Sequence, residues 1–157
     1  MLVSRNPQRL QNLEQNLTAM GIKSLSLPID FLDKGTSLNT YQKLEQDLID
    51  KGLSNVALVV NNAGVNTRGF FRDISAEEVR EMVLVNTYPY ALMTRQMLTS
   101  KVCSESTIYL SICSVIAFLP SAFDTVYAAT KAFEVFQLEA LRVEQQSTKR
   151  RFLIMNP

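Results

Sequence analysis

The sequence predicts an α/β fold in which helices cover a doubly wound parallel sheet. Three observations indicate this fold. Apolar segments of strand length alternate with amphipathic segments of helix length along all 157 residues. The segment at 56–60 is continuously apolar, as expected of a parallel strand that is buried on both faces. Recognisable capping residues precede several of the helical segments.

The first elements are a short strand at 2–4 and a helix. Asn6 and Pro7 start this helix, and Gly21 closes it. Further along, Ser75 and Glu78 form a capping box that opens a long helix. The remaining predicted elements are a strand at 24–29, a helix at 38–50, the strand at 56–60, the long helix at 76–98, a strand at 107–113, a helix at 125–146 and a strand at 152–155. Pro89 should kink the long helix just after Asn86.

Composition excludes several classes of function. The formal charge is +1 and the positive residues are scattered, so we expect no nucleic-acid partner. The one basic cluster, at 149–151, is typical of a solvated helix end. The absence of histidine excludes a histidine triad or a histidine metal site, and we expect no metal. Two cysteines, Cys103 and Cys113, do not form a disulfide framework. No apolar run approaches the ~20 residues that cross a bilayer.

Tyr127 and Lys131 lie four residues apart at the start of the helix at 125–146. That spacing places both side chains on one helical face. A fixed ammonium beside a phenol favours the ionised phenolate, so the pair suits proton transfer near neutral pH. The spacing also fits a half-buried tyrosine beside a solvated lysine, and the pair alone does not separate the two interpretations.

Polar residues follow two of the predicted strands. Ser114 ends one strand, thirteen residues before Tyr127, at the edge where ligands bind in open parallel sheets. Its hydroxyl is therefore a candidate to hold a substrate oxygen that exchanges a proton with Tyr127. Ser111 is a rival, and the spacing favours Ser114. Asn61-Asn62-Ala63-Gly64 ends the other strand, and Gly64 lets the backbone approach a ligand.

The order and spacing of this turn, Asn86, Ser114 and the Tyr127–Lys131 pair resemble the short-chain dehydrogenase/reductase family. The resemblance covers nearly the whole chain. It implies a Rossmann-like doubly wound parallel sheet and an oxidoreductase that interconverts a carbonyl and an alcohol with a nicotinamide cofactor. We expect residues 1–157 to form a single partial NAD(P)-binding domain.

The resemblance also implies roles for the catalytic residues. Tyr127 would be the general acid for reduction or the base for oxidation, and Lys131 would support its ionised form and hydrogen-bond the nicotinamide ribose. Ser114 would orient the carbonyl and stabilise its oxygen as it gains charge. Asn86 would hold a water molecule on the path of proton transfer. It would do so through its backbone, which the helix kink leaves open. Without the family resemblance, Asn86 could equally well be a polar residue that faces solvent.

Cofactor contacts follow from the same resemblance. Asn61, Ala63 and Gly64 would pass close to the adenosine ribose, while Tyr127 and Lys131 would contact the nicotinamide end. An arginine at the end of the strand at 2–4 accommodates a 2′-phosphate, so Arg5 favours NADP(H) over NAD(H), although it also fits a solvated arginine. Asp30 matches the adenine-contacting aspartate of the family.

Residues 2–6, 29–31 and 126–133 look most like the branch of 17β-hydroxysteroid dehydrogenases and very-long-chain 3-oxoacyl-CoA reductases. That branch implies a small-molecule or lipid carbonyl substrate, of the ketosteroid or 3-oxoacyl-CoA type. It also implies a role in lipid metabolism at the endoplasmic reticulum. If the branch resemblance is set aside, we expect a cytoplasmic protein. A homodimer through the long helices is a further expectation from the family.

The glycine-rich turn that follows the first strand in the family has no counterpart in this chain, which begins at what should be the second strand. The family also continues past Pro157. We therefore expect an N- and C-terminally truncated form that is inactive as an isolated fragment. One alternative is a non-catalytic remnant that binds a full-length paralogue. Another is a nucleotide-sugar epimerase, which shares the tyrosine–lysine pair but is disfavoured by the Asn-Asn-Ala-Gly turn.

Overall fold

The computed structural model describes residues 1–32 and 38–157, and the chain divides into two compact units, Met1–Ser37 and Leu38–Pro157. The first unit contains strand β1 (Leu2–Ser4), helix α1 (Pro7–Ala19) and strand β2 (Ser26–Pro28). The two strands pair in parallel, with α1 as the connection between them.

Local signals start and end α1 as predicted. Asn6 Oδ1 accepts a hydrogen bond from the Arg9 N–H at 2.9 Å, and Pro7 occupies the first turn. Gly21 has a φ of 74°, the left-handed conformation that commonly follows a helix end. Leu10 is buried, whereas Leu13 is 42% exposed. The apolar face of α1 is therefore narrower than its leucine spacing indicates.

The second unit holds the larger sheet. Its elements are α2 (Leu38–Asp50), β3 (Val56–Asn61), α3 (Ala76–Asn86), α4 (Tyr88–Thr99), β4 (Cys103–Ile112), α5 (Thr125–Glu144) and β5 (Arg151–Met155). The strands are parallel, in the order β3-β4-β5. Parallel strands joined through helices confirm the predicted fold class. No helix in the described residues is long and apolar enough to cross a membrane.

The predicted long helix is divided into α3 and α4 at Thr87. Its start is as expected, since Ser75 and Glu78 form the complete capping box. Pro89 lies in the first turn of α4 and has no backbone N–H to continue the hydrogen bonds of α3. The break therefore falls immediately after Asn86, at the predicted position, but as a separation into two helices.

The core of the second unit forms where the helices cover β4 and β5. The rings of Tyr109 and Phe152 stack at 5.0 Å with 14° between their planes. Leu44 of α2, Met82 of α3 and Leu138 of α5 are at most 1% exposed. Burial of each such apolar side chain contributes about 1.5 to 3 kcal/mol before the entropy cost of folding is subtracted.

One sequence-based expectation about burial is wrong, and a second holds only in part. The strand at 56–60 is not buried on both faces, because Leu58 and Val60 are each 49% exposed. In the described residues β3 is the edge strand of its ladder, and the face that carries these alternate residues stays partly uncovered.

The basic cluster at 149–151 is predicted to be solvated, and Lys149 and Arg151 are exposed, but Arg150 is half-buried. It donates to Gln145 Oε1 at 3.0 Å, the Leu98 carbonyl at 3.3 Å and the Ser104 carbonyl at 3.4 Å. A guanidinium has five N–H donors, so one side chain can bind several elements at once. Arg150 thereby joins the chain after α5 to the end of α4 and to β4.

Candidate active site

The candidate site lies where β3 and β4 end. Asn61, the last residue of β3, is in register with Ser111 of β4, so the segments that leave both strands begin at one edge of the sheet. The Asn61 side chain donates to Thr94 Oγ1 of α4 at 3.3 Å. This amide therefore fixes the strand end to the protein interior, whereas Ala63 and Gly64 are exposed.

Ser114 and its rival Ser111 have different environments. Ser111 is 1% exposed and donates to Tyr90 Oη at 3.1 Å. Ser114 is half-buried, has an extended backbone and accepts a hydrogen bond from the Ile116 N–H at 3.4 Å. Its own hydroxyl proton can still be donated, because the hydroxyl acts only as an acceptor in that bond. The burial of the two residues thus favours Ser114 as the one that meets a substrate.

Tyr127 and Lys131 lie on one face of α5, as their spacing predicts. Lys131 Nζ is 5.9 Å from the centroid of the Tyr127 ring, within the range of a cation–π interaction. The lysine is not a solvated side chain, since it is only 4% exposed. Nζ also donates to the carbonyl of Ile112, the last residue of β4, at 3.1 Å. The ammonium is thereby fixed at the end of the strand that precedes Ser114.

Glu134 is a member of this site that the sequence analysis missed. Its Oε1 accepts a hydrogen bond from Lys131 Nζ at 2.8 Å, and its side chain is buried. Burial raises the pKa of this carboxyl, and the ammonium of Lys131 acts in the opposite direction. The signal in the sequence is an acid three residues after the lysine, a spacing that brings side chains together on a helix.

Asn86 is completely buried, so the solvent-facing interpretation is wrong. Its Oδ1 accepts from the Val65 N–H at 2.8 Å, and its Nδ2 donates to the Val65 carbonyl at 2.9 Å. The second Nδ2 hydrogen goes to Thr130 Oγ1 at 3.0 Å. The side chain is thus occupied by protein groups. The predicted water would have to bind the backbone carbonyl of Asn86, and that role stays a prediction.

Gly64 lies beside both Asn86 and Lys131. A Cβ built at this position would be 3.5 Å from Asn86 Oδ1 and 3.6 Å from Lys131 Nζ, which is ordinary van der Waals contact. The exposed backbone of the turn therefore passes directly by the buried ammonium. Because Gly64 carries no side chain, a ligand can approach the backbone at this point, beside the ammonium.

A second group of residues that the sequence analysis missed fixes the start of α5. Asp124 is 6% exposed and accepts from Asn66 Nδ2 at 3.0 Å. It also pairs with Arg68 at 3.4 Å. The Gly69 N–H donates to the carbonyl of Phe123 at 2.9 Å. These contacts hold the loop after the Asn-Asn-Ala-Gly turn against the residues that lead into Tyr127.

Arg5 and Asp30 belong to the first unit. Both are exposed, and they follow β1 and β2 at the same edge of that ladder, where Ser4 is in register with Pro28. Asp30 Oδ1 accepts from the Leu32 N–H at 3.0 Å. The cofactor contacts inferred for these two residues remain predictions.

Comparison with known proteins identifies the family of the chain. A family model described as short chain dehydrogenase matches residues 1–157. The chain is 29% identical, over 99% of its length, to a short chain dehydrogenase of Pseudocercospora fijiensis, of which it covers 49%. It is 28% identical, over 94% of its length, to a very-long-chain 3-oxoacyl-CoA reductase of Bos taurus, of which it covers 46%.

Among solved structures, an alcohol dehydrogenase of Thermococcus sibiricus, complexed with 5-hydroxy-NADP, shares the fold. The TM-score is 0.84 at 18% identity, with 99% of this chain and 63% of that protein covered. The chain spans about half the length of the curated relatives it matches. The family resemblance expected from the sequence is confirmed: the chain belongs to the short chain dehydrogenase family of oxidoreductases.

Proposed function

We propose that these residues form the catalytic part of an NADP(H)-dependent oxidoreductase that interconverts a carbonyl and an alcohol. The observation that carries the proposal is the buried Lys131 ammonium, which is fixed at the end of β4 and lies 5.9 Å from the Tyr127 ring. Burying a cation is costly unless it is paired, and here the Ile112 carbonyl and the Glu134 carboxylate accept hydrogen bonds from the ammonium. An ammonium held beside a half-exposed phenol is the arrangement needed for proton transfer at Tyr127.

The proton chemistry can be followed on residues of this chain. When bound, a nicotinamide cofactor supplies the hydride. Ser114 donates its hydroxyl hydrogen to the substrate oxygen and stabilises the charge that develops there. Tyr127 transfers its phenolic proton to that oxygen during reduction and removes it during oxidation. The two residues thus act on the same substrate atom.

Lys131 supports this transfer in two ways. Its positive charge stabilises Tyr127 when the phenol has given up its proton. An ammonium has three N–H donors, of which two find acceptors among the described residues, the Ile112 carbonyl and Glu134. The remaining donor suits a ribose hydroxyl. The backbone carbonyl of Asn86 is the candidate position for a water that returns the proton to Tyr127.

NADP(H) is the proposed cofactor rather than NAD(H). Arg5 is exposed at the carboxyl end of β1, where a guanidinium suits a phosphate on the adenosine ribose. Asp30 is the proposed contact to adenine, and the Asn61–Gly64 turn the proposed contact to the ribose. The glycine-rich turn that binds pyrophosphate in this family has no counterpart in the sequence. We therefore propose that the isolated chain does not catalyse the reaction.

The proposed substrate carries an apolar body, as a ketosteroid or a 3-oxoacyl-CoA does. A pocket of about 510 Å³ lies beside α5, and its lining is mainly apolar. Residues 117–122 form one wall, and Ala128, Ala129 and Ala132 of α5 form the other. This lining belongs to the segments that adjoin Ser114 and Tyr127. Action on a lipid at the endoplasmic reticulum is the corresponding proposal for location.

A homodimer through the long helices is also proposed. Phe136 is 76% and Val143 is 66% exposed on α5. Large apolar side chains exposed along one helix are typical of a surface that packs against a partner.

Replacement of Tyr127 tests the function. In a protein that contains these residues and the glycine-rich turn, Tyr127→Phe should reduce turnover by about 10³-fold or more, because phenylalanine has no proton to transfer. NADPH binding, measured by cofactor fluorescence, should change little. Tyr88→Phe is the matched control, since Tyr88 is a half-exposed tyrosine of α4. Turnover retained in Tyr127→Phe would contradict the assignment.

A further inference from the structure

Glu134 is a buried ionisable group to which the proposed reaction gives no role. Its carboxylate lies 2.8 Å from Lys131 Nζ, and the two side chains are only 3% and 4% exposed. The buried positions of α5 that follow Glu134, Val135 and Leu138, carry apolar side chains. The inference below rests on the proposed function, because it concerns the lysine of that site.

Stability does not explain the presence of this pair. Removing a carboxylate and an ammonium from water costs several kcal/mol, and their attraction often only offsets that cost. An apolar pair of similar volume is frequently as stable or more stable. Lys131 has a function in the proposed reaction, so the remaining question is what the carboxylate does to this ammonium.

We infer that Glu134 is a positioning residue, which holds the Lys131 ammonium at the carboxyl end of β4 and neutralises part of its charge beside Tyr127. Two acceptors on different elements, the Ile112 carbonyl and Glu134 Oε1, fix Nζ in place. When both acceptors are bound, two hydrogen bonds orient the ammonium, and one N–H remains for another partner.

The helix backbone is fixed at both members of the pair. Tyr90 Oη of α4 donates to the carbonyl of Glu134 at 3.1 Å. Cys113 Sγ, just after β4, donates to the carbonyl of Lys131 at 3.3 Å. Ser111 in turn donates to Tyr90 Oη, which links this arrangement to the interior of β4. The separation of the two side chains is therefore set by α4, β4 and α5 together.

The titratable groups that face Glu134 are Lys131 on its own helix, Tyr90 on α4 and Cys113 beside β4. Burial raises the pKa of Tyr90 to about 12 and raises the pKa of the Cys113 thiol. Both therefore remain neutral donors near neutral pH. Glu134 is the group whose protonation would change the charge around Lys131, since burial raises its pKa above the ordinary glutamate range.

Carboxyl titration by ¹³C NMR tests the pair without any assay of activity. In the wild-type protein the Glu134 carboxyl should titrate above the ordinary glutamate range. Lys131→Met should move the midpoint upward by about one pH unit, because the ammonium no longer favours the carboxylate. Lys149→Met, at an exposed lysine, should leave it unchanged. An unchanged midpoint in Lys131→Met would overturn the inference, and this test needs no Glu134 variant.

The pH profile of carbonyl reduction, measured in a protein that contains these residues and the glycine-rich turn, tests the effect on Tyr127. Glu134→Gln should move the alkaline limb of kcat/KM to lower pH by about one unit, because the ammonium is no longer neutralised and favours the phenolate more strongly. Glu139→Gln is the matched control, since Glu139 is an exposed acid of α5 paired with Arg142. Superimposable profiles for wild type and Glu134→Gln would overturn the inference. Full turnover in Tyr127→Phe would instead refute the proposed function, and the carboxyl titration would still report on the pair.

Discussion

Asn86 Nδ2 donates a hydrogen bond to Thr130 Oγ1 at 3.0 Å and so joins the end of α3 to the turn of α5 that carries Tyr127 and Lys131. Thr130 Oγ1 in turn donates to the carbonyl of Tyr127 at 2.8 Å. On its other side the Asn86 amide binds both backbone groups of Val65. One buried side chain therefore connects the segment after the Asn-Asn-Ala-Gly turn with α5.

Because of this connection, we expect removal of the Asn86 side chain to destabilise the fold strongly. Asn86→Ala should lower the free energy of unfolding by about 2 to 4 kcal/mol, because several buried polar groups lose their partner. Thr130→Val should cost about 1 to 2 kcal/mol. Urea denaturation of both variants and of the double variant measures the coupling, which should be at least about 0.5 kcal/mol. Additive costs in this cycle would show that the two side chains do not interact.

Ser114 and Ser111 should respond differently to removal of their hydroxyls. In a protein that contains these residues and the glycine-rich turn, Ser114→Ala should reduce kcat/KM by about 10²-fold, as loss of a donor to a developing oxyanion does. Ser111→Ala should leave kcat/KM within a factor of about two and lower the free energy of unfolding by about 1 kcal/mol, because only its bond to Tyr90 is lost. The opposite result, with Ser111→Ala impairing turnover, would reverse the assignment.

Glu45 should make the protein acid-sensitive. Partial burial raises the pKa of Glu45, but hydrogen bonds from the Lys101 N–H, Ser100 and Gln96 outweigh that effect and leave the pKa below its ordinary value. A carboxyl with a lower pKa in the folded state stabilises the fold above its unfolded pKa, about 4.3, and this contribution is lost as the pH falls through the folded value.

The test compares the free energy of unfolding of Glu45→Gln and wild type at pH 7 and near pH 3. The variant should be less stable than wild type at pH 7 by about 1 kcal/mol, and the difference should shrink at the lower pH. Glu144→Gln, at an exposed carboxyl of α5, provides the control. An equal difference at both pH values would contradict the linkage.

Arg5 should determine the choice of cofactor. Arg5→Ala should weaken NADPH binding by about 10- to 100-fold, the loss expected for a charge-assisted hydrogen bond to a phosphate. NADH binding should change by no more than about threefold, because NADH has no 2′-phosphate. Arg9→Ala, at an exposed arginine of α1, serves as the control in the same fluorescence titration. Equal losses for both cofactors would refute the assignment.

The sequence by itself determined the elements and their order. Asn6, the Ser75–Glu78 box and Pro89 act on backbone groups within a few residues of their own positions, so their effects could be predicted without knowledge of the fold. The four-residue spacing of Tyr127 and Lys131 likewise fixed their common helical face. Strand–helix alternation was sufficient for the parallel sheet, because parallel strands require crossover connections.

Only the tertiary structure decided which of these residues meet others far along the chain. It placed Asn86 between Val65 and Thr130, distinguished Ser111 from Ser114 by burial, and brought Arg150 to carbonyls of α4 and β4. It also left Leu58 and Val60 half exposed on β3 and buried Glu134 beside Lys131. Burial depends on how separate elements pack, and residue spacing along one element carries no information about that packing.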